Sequence, residues 1–219
     1  MLLSHINSLI VVLTLIYRFN SILADVALLH SLGVKIVLVL GCSVKIDEII
    51  RNRGGEPQYV ADGKKPPGGG VVKNESNTYS TSTVHPLSFN RITDKVALLA
   101  AKEAAGEVGV RVMAALNREA SLPLVRRHGQ DRPHPRAING NFTYAMRFGV
   151  VGGIDYMFTG KVRGIDRVSI QQQLNMGNIV ILSNLGYSPA GEVRQRKQDS
   201  INYYSQKESS AVFEDLRGN

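Results

Sequence analysis

The residues with the clearest chemical potential stand together at Gly41-Cys42-Ser43. They separate an apolar run, Ile36-Val37-Leu38-Val39-Leu40, from a segment in which Ile46, Ile49 and Ile50 recur at i, i+3, i+4. A strand, a tight glycine turn and a helix in succession present free backbone N–H groups at the helix N-terminus, where anions bind. A plain turn needs the same glycine, and one glycine is far less specific than a full phosphate-binding loop. A thiolate at Cys42 would be stabilised by the helix start, although a small buried residue is the plainer reading. His128 and His134, with Asp131 between them, have metal-binding side chains but lack a coherent further ligand. No metal site is assigned. Ser183 and Ser188 lie in no nucleophile elbow, and Asp94, Lys95 and Glu103 suit a solvated helix face. No catalytic residue is assigned.

These residues need elements to position them. The β-branched run at 36–40 is continuous, which predicts a strand buried on both faces, as in a parallel sheet. The helix after it takes Ser43 as N-cap and Gly54 as its C′ residue. Ala24–Leu32 has helical spacing at Val26, Leu29 and His30 and stops at Gly33. After Thr93 or Asp94 as cap, Val96, Leu99, Ala100 and Glu103 predict a helix in alanine-rich surroundings. Val110–Leu116 is expected to be a strand. "GVVGGIDYMFTGKVRGID" predicts short strands with tight turns. Asp166 is expected to cap a helix with Ile170 and Leu174 on one face, ending at Gly177. "NIVILSNLG" reads as a further strand followed by a glycine turn. Alternating strands and helices imply an α/β domain with a mainly parallel sheet.

Composition sets the outer bounds. The chain has 219 residues, 43% hydrophobic and 20% charged, enough for a sizeable core. Its single cysteine excludes an intramolecular disulfide framework and cysteine-rich zinc sites. The net charge is +8, but the basic residues are scattered. The densest cluster, Arg126–Arg136, carries prolines and no interleaved aromatics, so no nucleic-acid partner is expected. The apolar core of residues 1–23, Leu9 to Tyr17, is too short to span a bilayer and lacks the basic residues that precede a signal h-region. A buried strand is expected there. Residues 64–90 are rich in Pro, Gly, Ser, Thr and Asn without a period, which predicts a loosely held segment. A polar tail is expected over 194–219.

The blocks "LGVKIVLVLGCSVKIDEIIRNRG", "RITDKVALLAAKEAAG", "VRRHG", "GNFTYAMRFGVVGGIDYMFTGKVRGID" and "GNIVILSNLGYSPAGEV" occur in order. Together they resemble plant N-acetylglutamate synthase, in its N-terminal amino-acid-kinase-like domain. The resemblance covers about Ala24–Gly63 and Arg91–Val193. It implies an α/β amino-acid-kinase-like three-layer sandwich with a mainly parallel sheet, incomplete here. It implies arginine biosynthesis, in which the family's enzyme, an amino-acid N-acetyltransferase, moves an acetyl group from acetyl-CoA to glutamate. A separate acetyltransferase domain carries acetyl-CoA and the reaction, so no cofactor is expected on this chain. The first domain commonly serves oligomerisation and arginine feedback. Residence in a plastid (chloroplast) is implied too, although residues 1–23 do not look like a transit peptide, which leaves the cytoplasm open.

By the same resemblance, Gly41 would offer backbone N–H groups to an acyl group, Arg91 would hold a carboxylate of an acidic amino acid, and Asn184 would face the ligand cleft. Glutamate or N-acetylglutamate is the ligand implied. The family's kinase relatives carry glycine and lysine in the turn after their first strand; "LIVVLTLIYRF" has neither, which argues against ATP and phosphoryl transfer. No acetyltransferase pyrophosphate loop occurs in these residues. Segments 64–90 and 194–219 depart from the family and read as retained intron sequence. Two rival readings remain: an acetylglutamate-kinase-like phosphotransferase, and a non-catalytic regulatory or assembly fragment.

Overall fold

The computed structural model describes residues 8–14, 19–61, 89–119 and 136–196. Its centre is a four-stranded parallel sheet in the order β1 (Ser8–Thr14), β2 (Lys35–Gly41), β10 (Ile179–Leu182), β5 (Ala137–Asn139). β2 pairs with β1 from Ser8↔Lys35 to Thr14↔Gly41, so the N-terminal apolar run is a strand. Residues Ile36 to Leu40 of β2 are all buried, as the unbroken apolar run requires.

The two faces of that sheet are covered by different helices. Ile36, Leu38, Leu40, Ile179 and Ile181 join a core with α1 (Phe19–Ser31), α2 (Ser43–Asn52) and α3 (Lys95–Glu119). The alternate residues Val37, Val39, Val180 and Leu182 pack with Ile170 and Leu174 of α4 (Arg167–Asn175) and with Phe142. The handedness of parallel crossovers explains the split. The chain moves one way along the sheet from β1 to β2 and the opposite way from β5 to β10, so right-handed connections place α1 and α4 on opposite faces. The result is a three-layer α/β sandwich.

Local signals set the helix ends. α2 buries Ile46, Ile49 and Ile50. It ends in a Schellman turn, with Gly54 N–H to the Arg51 carbonyl, Gly55 N–H to the Ile50 carbonyl and Gly54 at φ +76°. Its N-cap position is Cys42 rather than Ser43, which is the first helical residue, and no side chain caps it. Asp166 caps α4 by accepting from Ser169 N–H at 3.1 Å. Asp94 caps α3 by accepting from Ala97 N–H at 2.7 Å.

α3 departs from expectation in two ways. Its buried stripe is Ala97, Ala100, Ala101, Ala104, Ala105, Val108, Val112 and Leu116, whereas Val96 and Leu99 are exposed. Small residues let the helix lie close to its neighbours. Val110–Leu116 is the continuation of this helix, not a strand. The four-residue spacing from Ala104 through Val108 and Val112 to Leu116 keeps one face buried, and that burial overrides the β preference of the valines.

A second set of strands closes into a small ring, β11 (Leu185–Tyr187), β12 (Val193–Arg196), β9 (Thr159–Ile165) and β6 (Thr143–Arg147). Gly186 therefore lies inside a strand, not in a turn after β10. Two antiparallel strand pairs complete the description: β3 (Tyr59–Ala61) with β4 (Phe89–Arg91), and β7 (Val150–Val151) with β8 (Ile154–Asp155). Several boundaries drawn from composition thus fall within elements. α1 starts at Phe19, ahead of position 24; β4 uses Phe89 and Asn90; β12 runs across position 194.

Candidate functional site

The carboxyl end of a parallel sheet, where helix N-termini converge, is the expected place for a ligand. Here β2 ends at Gly41 and α2 begins at Ser43, while β10 runs into Ser183 and Asn184. The parallel register ends with Leu182 opposite Val39, and Ser183 and Asn184 follow at the same end of the sheet as Gly41, where the chain leaves for β11. Gly41 does not have a positive φ; the positive-φ glycines among the described residues are Gly33, Gly54, Gly149, Gly152, Gly153, Gly177 and Gly191. What Gly41 provides is a bare backbone beside the uncapped N-terminus of α2.

Asn184 is the most telling residue of this edge. It is 7% exposed, and neither its side-chain oxygen nor its nitrogen has a hydrogen-bond partner. A buried amide left unsatisfied costs about 1–3 kcal/mol per group, so a polar ligand would relieve it. Its backbone carbonyl accepts from Arg196 N–H at 2.9 Å. Ser183 is engaged locally: its Oγ accepts from Leu185 N–H at 3.3 Å. Cys42 is 2% exposed, and burial pushes its thiol up to about 12, against the nearby positive charge of Arg196. Burial thus favours the neutral thiol over the thiolate. Ser188 accepts from Glu192 N–H at 3.1 Å on the surface, a turn role.

Arg91 sits at the end of β4, close to α2, and its guanidinium is held by the protein itself. Nη1 is 2.5 Å from Asp47 Oδ1, and Nη2 donates to the Ser43 carbonyl at 3.2 Å and to the Tyr59 hydroxyl. The group also lies 4.7 Å from the centre of the Tyr59 ring. The Tyr59 hydroxyl donates to Asp47 Oδ2 at 2.9 Å, and burial raises its pKa well above the ordinary tyrosine value. The Arg91 side chain is 5% exposed and that of Asp47 16%. An acidic ligand would meet Arg91 only by sharing it with Asp47.

Asp47 and Tyr59 were not singled out from sequence. Asp47 lies one helical turn after Ser43, so the α2 spacing does place it beside the turn. A network also invisible in the sequence ties this edge to the ring. Thr93 Oγ1 donates to Gln195 Oε1 at 3.1 Å, and Thr159 Oγ1 donates to the Arg91 carbonyl at 2.8 Å.

A groove of about 600 Å³ lies at the N-terminus of α3, lined by Asp94, Lys95, Val96, Arg147, Met157, Phe158, Glu192 and Arg194. Its charges are largely paired, Arg147 with Asp155 at 2.8 Å and Arg194 with Glu192. Gly41 and Asn184 do not line it. His128, Asp131 and His134 lie outside the described residues. Among the described residues, no group of three or more His, Cys, Asp or Glu is placed to hold a metal ion, and no helix is long and apolar enough to cross a membrane.

The three-layer sandwich around a four-stranded parallel sheet places the chain among α/β proteins. The amino acid kinase family signature matches residues 10–203, and the chain belongs to the amino acid kinase family. It is similar to amino-acid acetyltransferases, 35% identical to that of Ectopseudomonas mendocina and 36% to that of Azotobacter vinelandii, each over 177 residues. Each alignment covers 80% of this chain and 33% of the relative, so the chain spans about a third of the length of the curated relatives it matches. Its fold resembles N-acetylglutamate synthase from Neisseria gonorrhoeae. The form complexed with coenzyme A and L-arginine aligns with a TM-score of 0.65 at 25% identity, over 90% of this chain and 40% of that one. The form complexed with coenzyme A and N-acetyl-glutamate aligns at 0.64 and 26%, over 90% and 38%. The chain thus matches the amino-acid-kinase-like part of these synthases.

Proposed function

We propose that this chain serves as the amino-acid-kinase-like domain of an N-acetylglutamate synthase and binds an acidic amino acid, glutamate or N-acetylglutamate, at the carboxyl edge of its sheet. The observation that carries the site is the buried, unpartnered amide of Asn184, two residues past β10 at the end of the sheet where β2 gives way to the uncapped N-terminus of α2. The α2 N–H groups and the Asn184 amide are suited to a carboxylate or acyl oxygen. Binding and regulation are the domain's work in this reading, and acetyl transfer belongs to a coenzyme A-binding domain of the whole enzyme. The plant type, the plastid location, homo-oligomeric assembly and arginine biosynthesis belong to the same reading and rest on the sequence resemblance.

Calorimetry on the 219-residue chain tests the site. Weak, saturable binding of N-acetyl-L-glutamate or L-glutamate is expected, and Gly41→Val should weaken it at least tenfold by blocking the backbone approach. A folded chain that binds neither compound would refute the reading. Unchanged affinity in the Gly41 variant would leave that glycine as a turn residue only. The kinase alternative is disfavoured by the sequence between β1 and α1, where residues 15–18 include neither the glycine nor the lysine of a phosphate-binding turn.

A further inference from the structure

Arg91 is the guanidinium that sequence resemblance offers to an acidic ligand, yet its hydrogen bonds run to Asp47, Ser43 and Tyr59. A second buried arginine belongs to the strand that pairs with the chain at Asn184. Arg196, 7% exposed, closes β12. The antiparallel register of β11 and β12 pairs Leu185 with Gln195 and Gly186 with Arg194. One step further along the same ladder, Asn184 faces Arg196, and the Arg196 N–H bond to the Asn184 carbonyl at 2.9 Å confirms that opposition. Directly opposed residues of an antiparallel pair project to the same side of the sheet. The unpartnered Asn184 amide and the Arg196 guanidinium therefore share one side, at the edge where α2 begins uncapped. The positive charge of Arg196 also acts on Cys42, the residue at the α2 N-cap position.

Resting on the ligand-binding reading above, we propose that Arg196, paired across the strands with Asn184, receives the ligand's carboxylate in place of Arg91. The Asn184 side chain would donate through Nδ2, the guanidinium would supply charge-assisted hydrogen bonds, and the first N–H groups of α2 would complete an anion site. Arg91 then acts as a cross-link between the paired strands β3 and β4 and α2. This assignment gives the residues of β12 beyond Val193 a ligand role that the sequence resemblance does not extend to them.

The test is titration of the 219-residue chain and its variants with N-acetyl-L-glutamate, L-glutamate and inorganic phosphate, with folding checked by circular dichroism. Arg196→Gln is expected to weaken binding about ten- to a hundredfold, the usual loss for one charge-assisted contact, and Arg196→Lys to retain part of it. Asn184→Asp places a carboxylate opposite the guanidinium. It should compete with the ligand and weaken binding at least tenfold, which keeps the proposal testable if Arg196→Gln does not fold. Wild-type binding that survives both Arg196→Gln and Asn184→Asp overturns this inference and leaves the ligand-binding reading standing. Wild-type chain that binds none of the three compounds overturns both.

Discussion

At the scale of single residues, the Arg91–Asp47 pair makes the sharpest demand. Both side chains are largely buried, and removing one partner strands the other's charge, at a cost of about 3–5 kcal/mol. Arg91→Ala is expected to destabilise the fold by about that amount in urea denaturation. The double variant Arg91→Ala/Asp47→Ala should recover part of the loss, because no lone charge remains. Additive losses in the cycle would mean that the pair does not interact. His30 gives a pH dependence. Burial lowers its pKa, partly offset by a hydrogen bond to the Gly177 backbone. Below the ordinary histidine value of about 6.5 the unfolded chain takes up the proton before the folded one does. Its effect is therefore constant above that pH, and stability falls as pH drops through the window between 6.5 and the lowered value. Denaturation midpoints at pH 7.5 and pH 5.5 should differ less in His30→Gln than in the wild type.

At the scale of elements, glycines of one type have opposite roles. A Cβ at Gly186 on β11 would lie 2.5 Å from the Ala145 Cβ, and one at Gly160 on β9 would lie 2.9 Å from the Arg194 Cβ. The ring is narrow because these residues leave it no room for side chains. Gly186→Ala is expected to cost about 1–3 kcal/mol by overpacking. Gly106 lies in α3, and a Cβ there meets nothing within 4 Å. Gly106→Ala should stabilise by about 0.5–1 kcal/mol, since alanine loses less backbone entropy in a helix. Thermal melts of the two variants should move in opposite directions; a shared direction would contradict the packing described for the ring or for α3.

At the scale of the whole molecule, the sandwich and the ring form the amino-acid-kinase-like body on which the sheet-edge site is proposed. The aligned relatives extend well beyond it, since this chain covers 33% of their length. Residues 1–219 contain no glycine-rich loop of the acetyltransferase type. A polypeptide of these residues alone is expected to release no free coenzyme A from acetyl-CoA and glutamate, measured with a thiol reagent. Turnover proportional to protein concentration would overturn the division of labour proposed here.

The sequence by itself determined what depends on near neighbours. The unbroken run at 36–40 required a strand covered on both faces, Ile46, Ile49 and Ile50 required one buried helix face, and Asp166 marked the start of α4. The likeness carried by ordered blocks placed the chain in its fold class, and Gly41 could be read as the end of β2 beside a helix N-terminus. Tertiary structure decided the rest. Val110–Leu116 is helical because its burial partners lie on other elements, and Gly186 is a strand residue because β12 and β6 flank it. Arg91 meets Asp47 from 44 residues away, and Asn184 faces Arg196 only once the β11–β12 ladder has formed. Spacing along a chain records helical and strand periods, which are set within a few residues. The partner of a buried charge or amide is chosen by sheet register and helix packing, which bring distant residues together.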